Sequence, residues 1–411
     1  MIRRTLILLE GNIQYSTGNG LLYVQAAQRL GLHPIALSAD PAQYDYFAAG
    51  CEAISVDTSN HDALIHECSR LGESYDIAGI TSVNESVYST VGTLCRHFDL
   101  PGPNPASIEQ CCDKFTQRQL LEKARVPIPA YRLVENATDA ERAASEVGLP
   151  VVLKPAVGIG SSGVRLCRNL EEVVEHTTYL LGGKHRWRSS PRILIEEFAQ
   201  GSHYYAKIMG NEVLAIGAAS FGPAPHFVYS EVTFPAPLAD HEHERIVDIS
   251  LASLRALELG WGPTGIEFRW TKRGPVVIEV NPRAGGFPDP QLVQLAYGID
   301  LVTEHLKLVI GEESNLGRTR SHAAAARILL PECDGMLDWI GGVSRAAAVP
   351  GVKEVKLYVK PKTPITRVGD YRDWLGHVIA SSSNPTQTEA ILRHAVDLIG
   401  WTITPFPNPA E

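Results

Sequence analysis

Residues 265–283 read GIEFRWTKRGPVVIEVNPR and contain the strongest structural signal in this chain. Two apolar runs, residues 265–270 and 276–280, flank a turn that contains glycine and proline, which predicts an antiparallel pair of strands. One acid interrupts each run, Glu267 in the first and Glu279 in the second. Pairing through the turn should therefore bring the two carboxylates close together.

Carboxylates inside apolar strands need a counter-charge, because burial otherwise neutralises them. With the side-chain carbonyl of Asn281 they form a set of hard oxygen ligands that suits Mg²⁺, an ion that keeps waters and bridges substrate phosphates. Arg283 should face the same centre, where a guanidinium can stabilise a transferring phosphoryl group or hold a carboxylate. A surface hairpin with solvated charges is the alternative, but it does not explain why acids interrupt apolar runs.

A second signal lies upstream, where Lys154 ends a strand and a glycine- and serine-rich loop follows at once. Glycines let backbone N–H groups point into one concavity that binds phosphate oxygens, and a lysine adds a point charge. The loop residues concerned are Gly158, Gly160, Ser161, Ser162 and Gly163. No Gly-Lys-Ser/Thr opens a helix here, so this is not a Walker loop. In isolation, a flexible hairpin would explain the loop equally well.

The third signal is the strand 193–198, which ends in Glu196, Glu197 and Phe198. Its backbone groups can hydrogen-bond an adenine edge, and one of its acids can accept ribose hydroxyls. Alone this signal is weak, because paired acids at a strand end are usually just exposed.

The rest of the chain divides into an N-terminal α/β part and a later α+β part. Short apolar strands at residues 5–9, 33–37, 51–56 and 77–81 alternate with helical patterns, which predicts a parallel sheet. After residue 149, strand patterns follow one another closely, which predicts antiparallel sheets. A helix is expected over residues 112–124 and a closing helix near residues 386–400. The expected domains are residues 1–105, 106–190, 191–317 and 318–411.

Composition and charge exclude several classes of protein. The 411 residues are 44% apolar, which indicates a globular chain of several domains, and the net charge of −9 argues against a nucleic-acid surface. The N-terminal apolar run is too short for a secretory signal, and no run approaches the roughly twenty residues of a membrane span. Seven scattered cysteines without metal-ligand spacing indicate reduced thiols and a cytoplasmic location. They are Cys51, Cys68, Cys95, Cys111, Cys112, Cys167 and Cys333.

Together and in this order, the three signals resemble the ATP-grasp superfamily over nearly the whole chain. The resemblance implies an ATP-grasp fold with α/β and α+β parts: a parallel-sheet domain before the grasp and a small C-terminal α+β domain after it. It also implies four functional parts of the sequence. They are a lysine at the start of the central domain, a second lysine before the glycine-rich loop, a hinge at the end of strand 193–198 that holds adenine, and the residues that bind metal. The matching positions are Lys114, Lys154, Glu196 to Phe198, Glu267, Glu279, Asn281 and Arg283.

Within the superfamily, the continuation after Asn281, with Gly285 and Gly286, is similar to the branch of L-amino acid ligases that make dipeptides. The segment 82–85, which ends in Glu85, also has a counterpart in that branch. The resemblance implies that Arg283 and the loop beyond it bind the carboxylate substrate.

The implied activity uses ATP with one or two Mg²⁺ ions, Mn²⁺ being an alternative, to activate a carboxylic acid as an acyl-phosphate that an amine attacks. The catalytic assignments are Arg283, Lys154 and Ser161, and the substrates are small carboxylic acids and amines, with no nucleic acid or membrane as partner. Products of the peptide-antibiotic or specialised-metabolite kind are compatible with it. A homodimer is implied by family analogy only.

Several points stay open at the level of sequence. Many relatives have Gly-x-Glu after the hinge, whereas this chain has a histidine, so either His203 or Glu197 would contact the ribose. The Pro-rich stretch with His226, Tyr229 and Glu231 would line an amine pocket or be an ordinary surface loop.

The C-terminal segment 373–376 lacks an arginine that relatives often carry. The histidines of residues 240–244 are expected in the solvated first turn of a helix and not at a metal. The competing functions are a carboxylase-type enzyme that activates bicarbonate, and a nucleotide-binding regulatory module without turnover.

Overall fold

The computed structural model describes residues 2–11, 19–44, 49–182 and 192–407. The expected domain boundary at residue 190 lies outside these ranges. The N-terminal elements are β1 (Arg3–Leu9), α1 (Gly20–Arg29), β2 (His33–Ser38), β3 (Glu52–Ser55), α2 (His61–Gly72), β4 (Tyr75–Thr81) and α3 (Tyr88–His97). The next are α4 (Pro105–Cys112), α5 (Lys114–Lys123), β5 (Tyr131–Val134), α6 (Ala137–Val147), β6 (Val151–Pro155), β7 (Arg165–Cys167), α7 (Leu170–Gly182) and β8 (Ile193–Glu197).

The central elements are β9 (Ser202–Met209), β10 (Glu212–Phe221), β11 (Tyr229–Phe234), α8 (Asp240–Ala256), β12 (Pro263–Thr271), β13 (Gly274–Asn281), α9 (Asp289–Tyr297) and α10 (Leu301–Val309). The last are β14 (Ala323–Leu329), β15 (Gly335–Gly341), α11 (Val343–Ala347), β16 (Val352–Leu357), β17 (Thr363–Ile365), β18 (Gly376–Ser382), α12 (Pro385–Asp397) and β19 (Gly400–Pro405). Short 3-10 turns cover Pro41–Gln43, Glu85–Val87 and Tyr371–Asp373.

The first four strands form a parallel sheet in the order β3-β2-β1-β4. Because side chains alternate along a strand, β1 buries Leu6 against α1 and α10 on one face and Ile7 against α2 and α3 on the other. A strand segment that is buried on both faces is apolar without interruption, as residues 6–9 of β1 are. The expected parallel N-terminal sheet is confirmed.

The second part places α6 over a four-stranded antiparallel sheet of order β5-β8-β6-β7. The helix expected over residues 112–124 is confirmed as α5, which begins two residues later than expected because it is separated from α4 by Asp113. Its carboxylate caps α5 by accepting a hydrogen bond from the backbone N–H of Thr116 at 2.8 Å, so one helix ends before it and another begins after it.

The third part is an antiparallel sheet of eight strands in the order β13-β12-β9-β10-β11-β14-β18-β16. One face of β9 and β12 packs its apolar residues against α8, and the opposite face is left for polar side chains. The C-terminal unit expected from residue 318 therefore shares this sheet through β14, β18 and β16. Only β17, β15 and β19 form a separate small sheet.

Two sheets thus face each other across a cleft. The four-stranded sheet β5-β8-β6-β7 lies on one side and the eight-stranded sheet on the other.

Helix α8 begins at Asp240, and both histidines of its first turn are exposed, as expected. The seven cysteines are free thiols. No helix in the described part of the chain combines the length and the apolar character that crossing a bilayer requires.

Candidate active site

The two acids of the hairpin lie directly opposite each other. β12 and β13 pair antiparallel with Glu267 across from Glu279 and Gly265 across from Asn281. Phe268 points the other way into the core and is fully buried. The alternation of the strands therefore puts both carboxylates and the amide on the face that lines the cleft, as the sequence predicted.

Lys114 joins this face to the glycine-rich loop. It is the first residue of α5, and its ammonium lies 2.8 Å from the Glu279 carboxylate. The same ammonium donates a hydrogen bond to the carbonyl of Gly158 at 2.5 Å. Because the Lys114 side chain is buried, this one cation holds β13 and the glycine-rich loop at a fixed distance from each other.

Lys154 belongs to a buried triad with Glu196 and Arg118. The Lys154 ammonium and the Arg118 guanidinium each lie 2.6 Å from a different oxygen of the Glu196 carboxylate. Burial alone would raise the pKa of Glu196, but the two cations hold it below its ordinary value. Burial lowers the pKa of Lys154 against the attraction of Glu196.

Glu196 was predicted as a nucleotide contact, and the structure places it on the cavity wall with both oxygens engaged by cations. Arg118 also donates to the backbone carbonyl of Ile278, so the triad ties α5, β6, β8 and β13 together. Arg118 was missed by the sequence reasoning.

The glycine-rich loop contains three residues in a left-handed backbone conformation. Gly160, Ser161 and Gly163 have positive φ angles of 64°, 62° and 73°. Glycine adopts this conformation without steric cost, so Gly160 and Gly163 let the chain turn sharply here. A Cβ on Gly160 would lie 2.6 Å from the ring of Tyr371, so this C-terminal residue packs directly over the loop.

The hinge residues line the same cavity. Glu197 accepts two hydrogen bonds of 2.7 Å from Arg273, and it is about one third exposed. The ring of Phe198 lies 6.1 Å from that of Phe227. Of the two residues considered for the ribose, Glu197 therefore already has a cationic partner.

His203, the other residue considered, is 3% exposed and lines the cavity on β9. Within the described residues neither ring nitrogen has a hydrogen-bond partner, and the nearer carboxylate oxygen of Glu267 is 3.6 Å away. Burial lowers the pKa of the His203 imidazole well below 6.5, so the ring is neutral. A neutral, unpartnered imidazole on a cavity wall can accept or donate one hydrogen bond to a bound molecule.

Arg283 reaches the cavity from the residues that follow β13, and the N-terminal domain holds it there. Its Nε donates to the Glu85 carboxylate at 2.8 Å. Arg283 lines the cavity, whereas Glu85 lies behind it and does not. Glu85 was expected to contact substrate, and the structure gives it the position of an anchor for Arg283.

The three residues expected around an amine pocket do not stay together. Tyr229 lines the cavity, but Glu231 forms an ion pair with Arg327, and His226 packs against Gly369. Neither His226 nor Glu231 is on the cavity wall. Burial raises the pKa of Tyr229 well above 10, so its hydroxyl stays protonated and is not a proton acceptor. His226 precedes β11, and a bulge in that strand, with Phe221 across from Tyr229 and Ser220 across from Glu231, turns Glu231 to the face opposite Tyr229.

The two facing acids, Glu267 on β12 and Glu279 on β13, differ in how readily they ionise. Burial first, and then the charge of Glu279, raise the pKa of Glu267 to about 7. Lys114 and Lys154 outweigh the burial of Glu279 and lower its pKa. A further cation beside Glu267 would therefore stabilise its charged form.

Among the described residues no three His, Cys, Asp or Glu side chains group closely enough to hold a metal by themselves. Two carboxylates and the Asn281 amide therefore fit an ion that completes its shell with water and phosphate oxygens, which is the habit of Mg²⁺.

Most of the predicted site residues surround one cavity of about 250 Å³, whereas Gly163, Glu85, His226 and Glu231 do not line it. Besides the predicted residues, the wall contains a buried lysine with an acid and a group of aromatic and cationic side chains that the sequence reasoning missed. They are Lys207, Asp289, Phe221, Phe227, Arg269, Phe287, Tyr371 and Trp374. The period of two in β9, which puts His203, Tyr205 and Lys207 on one face, was a signal that could have found Lys207.

Comparison with known proteins gives the same outline. The ATP-grasp domain family matches residues 111–287, and the family described as L-amino acid ligase C-terminal domain 2 matches residues 327–404. A crystal structure of L-amino acid ligase from Bacillus licheniformis superposes with a TM-score of 0.81 at 20% identity, over 98% of this chain and all of that one.

Two relatives at the level of sequence extend the comparison. The uncharacterized protein y4rH of Sinorhizobium fredii is 58% identical over 408 residues, which cover 99% of this chain and 84% of that protein. Human carnosine synthase 1 is 28% identical over 262 residues, 58% of this chain. That match spans about a third of the carnosine synthase, 32% of its length.

Proposed function

Because the chain belongs to the ATP-grasp superfamily and ends in the C-terminal domain of its L-amino acid ligases, we propose that it couples two small molecules through an acyl-phosphate. It is an ATP-grasp ligase of the carboxylate–amine type. In the proposed reaction a carboxylic acid is activated by ATP and joined to the amine of an amino acid, with release of ADP and phosphate.

One observation carries this proposal. Glu267 and Glu279 are paired across two strands, and Lys114, Lys154 and Arg283 line the same cavity. A site that transfers a phosphoryl group needs cations around the phosphate oxygens and oxygen ligands for a divalent ion, and little covalent chemistry from the protein. Both requirements are met on facing walls of one cleft.

The first step is an in-line attack by a carboxylate oxygen of the donor on the γ-phosphorus of ATP, with ADP as the leaving group. In our proposal Lys114 and Lys154 bind the phosphates of ATP. The glycine-rich loop, residues 160–163, covers the γ-phosphate with Ser161 and Ser162. Each lysine is held by a carboxylate, Glu279 and Glu196 respectively, so neither has to be ordered when ATP arrives. This pre-organisation is the contribution that a protein makes to such a step.

Glu267, Glu279 and Asn281 would hold one or two Mg²⁺ ions, with Mn²⁺ as an alternative. An ion held there would supply positive charge to neutralise the phosphates of ATP. Burial and the charge of Glu279 raise the pKa of Glu267 to about 7, so a cation bound beside Glu267 would favour its charged form, which supports this assignment.

In the second step the amine nitrogen attacks the acyl carbon, the C–O bond to phosphate breaks, and the proton that the amine loses passes to the departing phosphate. We propose that Arg283, held by Glu85, binds the oxygen that gains charge at the acyl carbon. The acyl-phosphate must be kept from water, and Tyr371 over Gly160 is placed to close the loop side of the cleft.

The test is phosphate release from Mg-ATP across a matrix of paired amino acids and carboxylic acids, with mass spectrometry of the products. We expect release that requires a pair, and a product whose mass is the sum of the two minus water. Phosphate release with bicarbonate alone would favour the alternative function, a carboxylase-type enzyme that activates bicarbonate. ATP binding without release under every condition would favour the regulatory module.

A further inference from the structure

The glycine-rich loop is a short connection between two paired strands. Residues 156–164 join β6 to β7, which run antiparallel beside each other. Inside the loop, the backbone N–H of Ser162 donates to the carbonyl of Ile159 at 3.2 Å. The N–H of Val164 donates to the carbonyl of Ser161 at 3.0 Å. These local bonds shape the loop, but they do not attach it to the rest of the protein.

Two side chains from neighbouring helices supply that attachment. Lys114 on α5 donates to the carbonyl of Gly158 at 2.5 Å. His176 on α7 donates from Nε2 to the carbonyl of Gly163 at 2.9 Å, and this nitrogen carries the proton because a carbonyl oxygen can only accept. Residues 159–162, the loop tip, line the cavity between these two anchor contacts, whereas Gly163 does not line it.

The surroundings of His176 fix its ring in place. The side chain is buried, and burial lowers its pKa to about 4, so the imidazole is neutral at pH 7. The ring of Tyr179 stacks on it with centroids 5.5 Å apart and an angle of 18° between the planes. Leu180 presses on the loop itself, because a Cβ on Gly163 would lie 2.9 Å from its side chain. Positions three and four residues apart share one face of a helix, so this face of α7 packs against the end of the loop.

The needs of the helix alone do not explain the contact. A buried imidazole requires a hydrogen-bond partner, but an acceptor in any regular element would satisfy it equally well. Here the acceptor is Gly163, the residue that follows the loop tip, and the Lys114 contact falls on Gly158, the residue that precedes it. The two anchor contacts therefore stand on either side of the four residues that face the cavity.

We propose that His176 is a positioning residue that fixes the C-terminal anchor of the glycine-rich loop, so that residues 159–162 close over the γ-phosphate as one unit and keep water from the acyl-phosphate. The inference rests on the proposed function, because it concerns the loop that covers the same site. Without the anchor, the tip would cover the phosphate for only part of each turnover.

A loosened tip has a defined chemical consequence. Water would attack the acyl carbon, the C–O bond to phosphate would break, and a proton of the water would pass to the departing phosphate. The donor acid would be returned unchanged, while ATP would become ADP and phosphate. More ADP would therefore be released for each amide formed.

The ratio of ADP to amide tests this in the complete reaction. His176→Phe keeps an aromatic ring beside Tyr179 but removes the donor, and His176→Leu removes it in a smaller side chain. Both should raise the ratio at least roughly three-fold above that of the wild type. His176→Gln places an amide N–H near the position of Nε2 and should restore the wild-type ratio. A purely structural defect would reduce ADP and amide together and leave the ratio unchanged.

A second measurement does not depend on the chemistry. Hydrogen exchange of the backbone amides of residues 159–164 is followed by mass spectrometry with Mg²⁺ and a non-hydrolysable ATP analogue. Exchange should be roughly ten-fold faster in His176→Phe than in the wild type or His176→Gln. Thr177→Val is the matched control on α7, because Thr177 is also buried and its hydroxyl has no hydrogen-bond partner among the described residues. It should match the wild type in both measurements.

The inference requires the ratio and the exchange to change together in the variants without a donor and to return in His176→Gln. Either quantity staying at its wild-type value in His176→Phe and His176→Leu, or changing equally in His176→Gln, would overturn it. The ligase proposal is judged separately, by whether the wild type forms any amide. If it forms none, the ligase is rejected and the exchange measurement alone decides whether His176 anchors the loop.

Discussion

The two ends of the cavity are built differently. At the proposed phosphate end, Lys114 and Lys154 each pair with a carboxylate, and the acids Glu267 and Glu279 lie on paired strands. At the other end, the proposed substrate end, a single ion pair, Lys207 and Asp289, borders an apolar wall to which the C-terminal part contributes Trp374.

In the proposed reaction, the difference follows from what each end would bind. Phosphates and a divalent ion would be the same in every turnover, so their ligands can be held rigidly by regular elements. The substrate end joins residues from β9, the loop after β13 and the C-terminal part, so it can change without disturbing the phosphate site. Variants at the phosphate end should therefore lower all turnover, and variants at the other end should change which substrate is used.

The largest effect is expected for Glu279→Ala. The change removes a proposed metal ligand and leaves Lys114 buried without its carboxylate partner, so turnover should fall at least roughly a thousand-fold. Phosphate release in the presence of both substrates measures it. Glu212→Ala, an exposed acid at the start of β10, is the control and should be unchanged. Full activity of the Glu279 variant would remove the metal assignment.

Next in size is Arg118→Met. Glu196 would lose one of its two cations inside the protein, which should cost about 3 kcal/mol of unfolding free energy. Lys154 would then pair more closely with Glu196, and KM for ATP should rise roughly ten-fold or more with a smaller change in kcat.

The neighbouring pair supplies the control for Arg118. Arg273→Met breaks an ion pair with Glu197 that is 62% exposed on the arginine side, and should cost under about 1 kcal/mol. Urea denaturation and steady-state kinetics compare the two variants. Equal losses in both, or a KM for ATP that does not move in Arg118→Met, would show that the triad does not position Lys154.

A pH-dependent effect is expected at Glu267. Its folded-state pKa of about 7 is above its ordinary value near 4.5, so the folded protein loses stability as pH rises from 4.5 to 7. Glu267→Gln removes that loss. Without metal or ATP, the variant should be more stable than the wild type above pH 7, on the order of 1–2 kcal/mol after solvent screening, and no more stable below pH 4.5. A stability difference that does not depend on pH would contradict the assigned charge balance.

The smallest effect is expected where the C-terminal part meets the loop. Gly160→Ala puts a methyl group 2.6 Å from the Tyr371 ring at a φ of 64°, and kcat should fall about five-fold. Adding Tyr371→Ala removes the clash but not the backbone strain, so activity should recover in part. Gly182→Ala, with open space around its Cβ, is the control. Unchanged activity in Gly160→Ala would mean that the loop does not close against Tyr371.

The sequence predicted the parallel N-terminal sheet and the paired acids because both follow from short-range patterns. Leu6 to Leu9 are apolar without interruption, and Glu267 and Glu279 flank a tight turn. Positions that depend on distant parts of the chain were not predictable in the same way. Arg118 lies in a helix of mostly polar residues, where a buried arginine has the same pattern as an exposed one.

Two other misses have specific causes. Lys207 interrupts an apolar strand just as Glu267 does, but its partner Asp289 is 82 residues away, and no local pattern joins them. His226 and Glu231 were grouped with Tyr229 by closeness in sequence, but His226 precedes β11, and a bulge in that strand turns Glu231 to the face opposite Tyr229. The roles proposed for the site residues remain predictions for the experiments above.

The central claim is that a donor carboxylate takes the γ-phosphoryl group of ATP. The most direct measurement uses a donor acid with both carboxylate oxygens labelled with ¹⁸O, Mg-ATP and the amine, followed by mass spectrometry of the released phosphate. The account predicts one ¹⁸O atom in each phosphate formed together with amide, because the oxygen that bonds to phosphorus leaves with it. Phosphate without label, formed together with amide, would contradict the acyl-phosphate route.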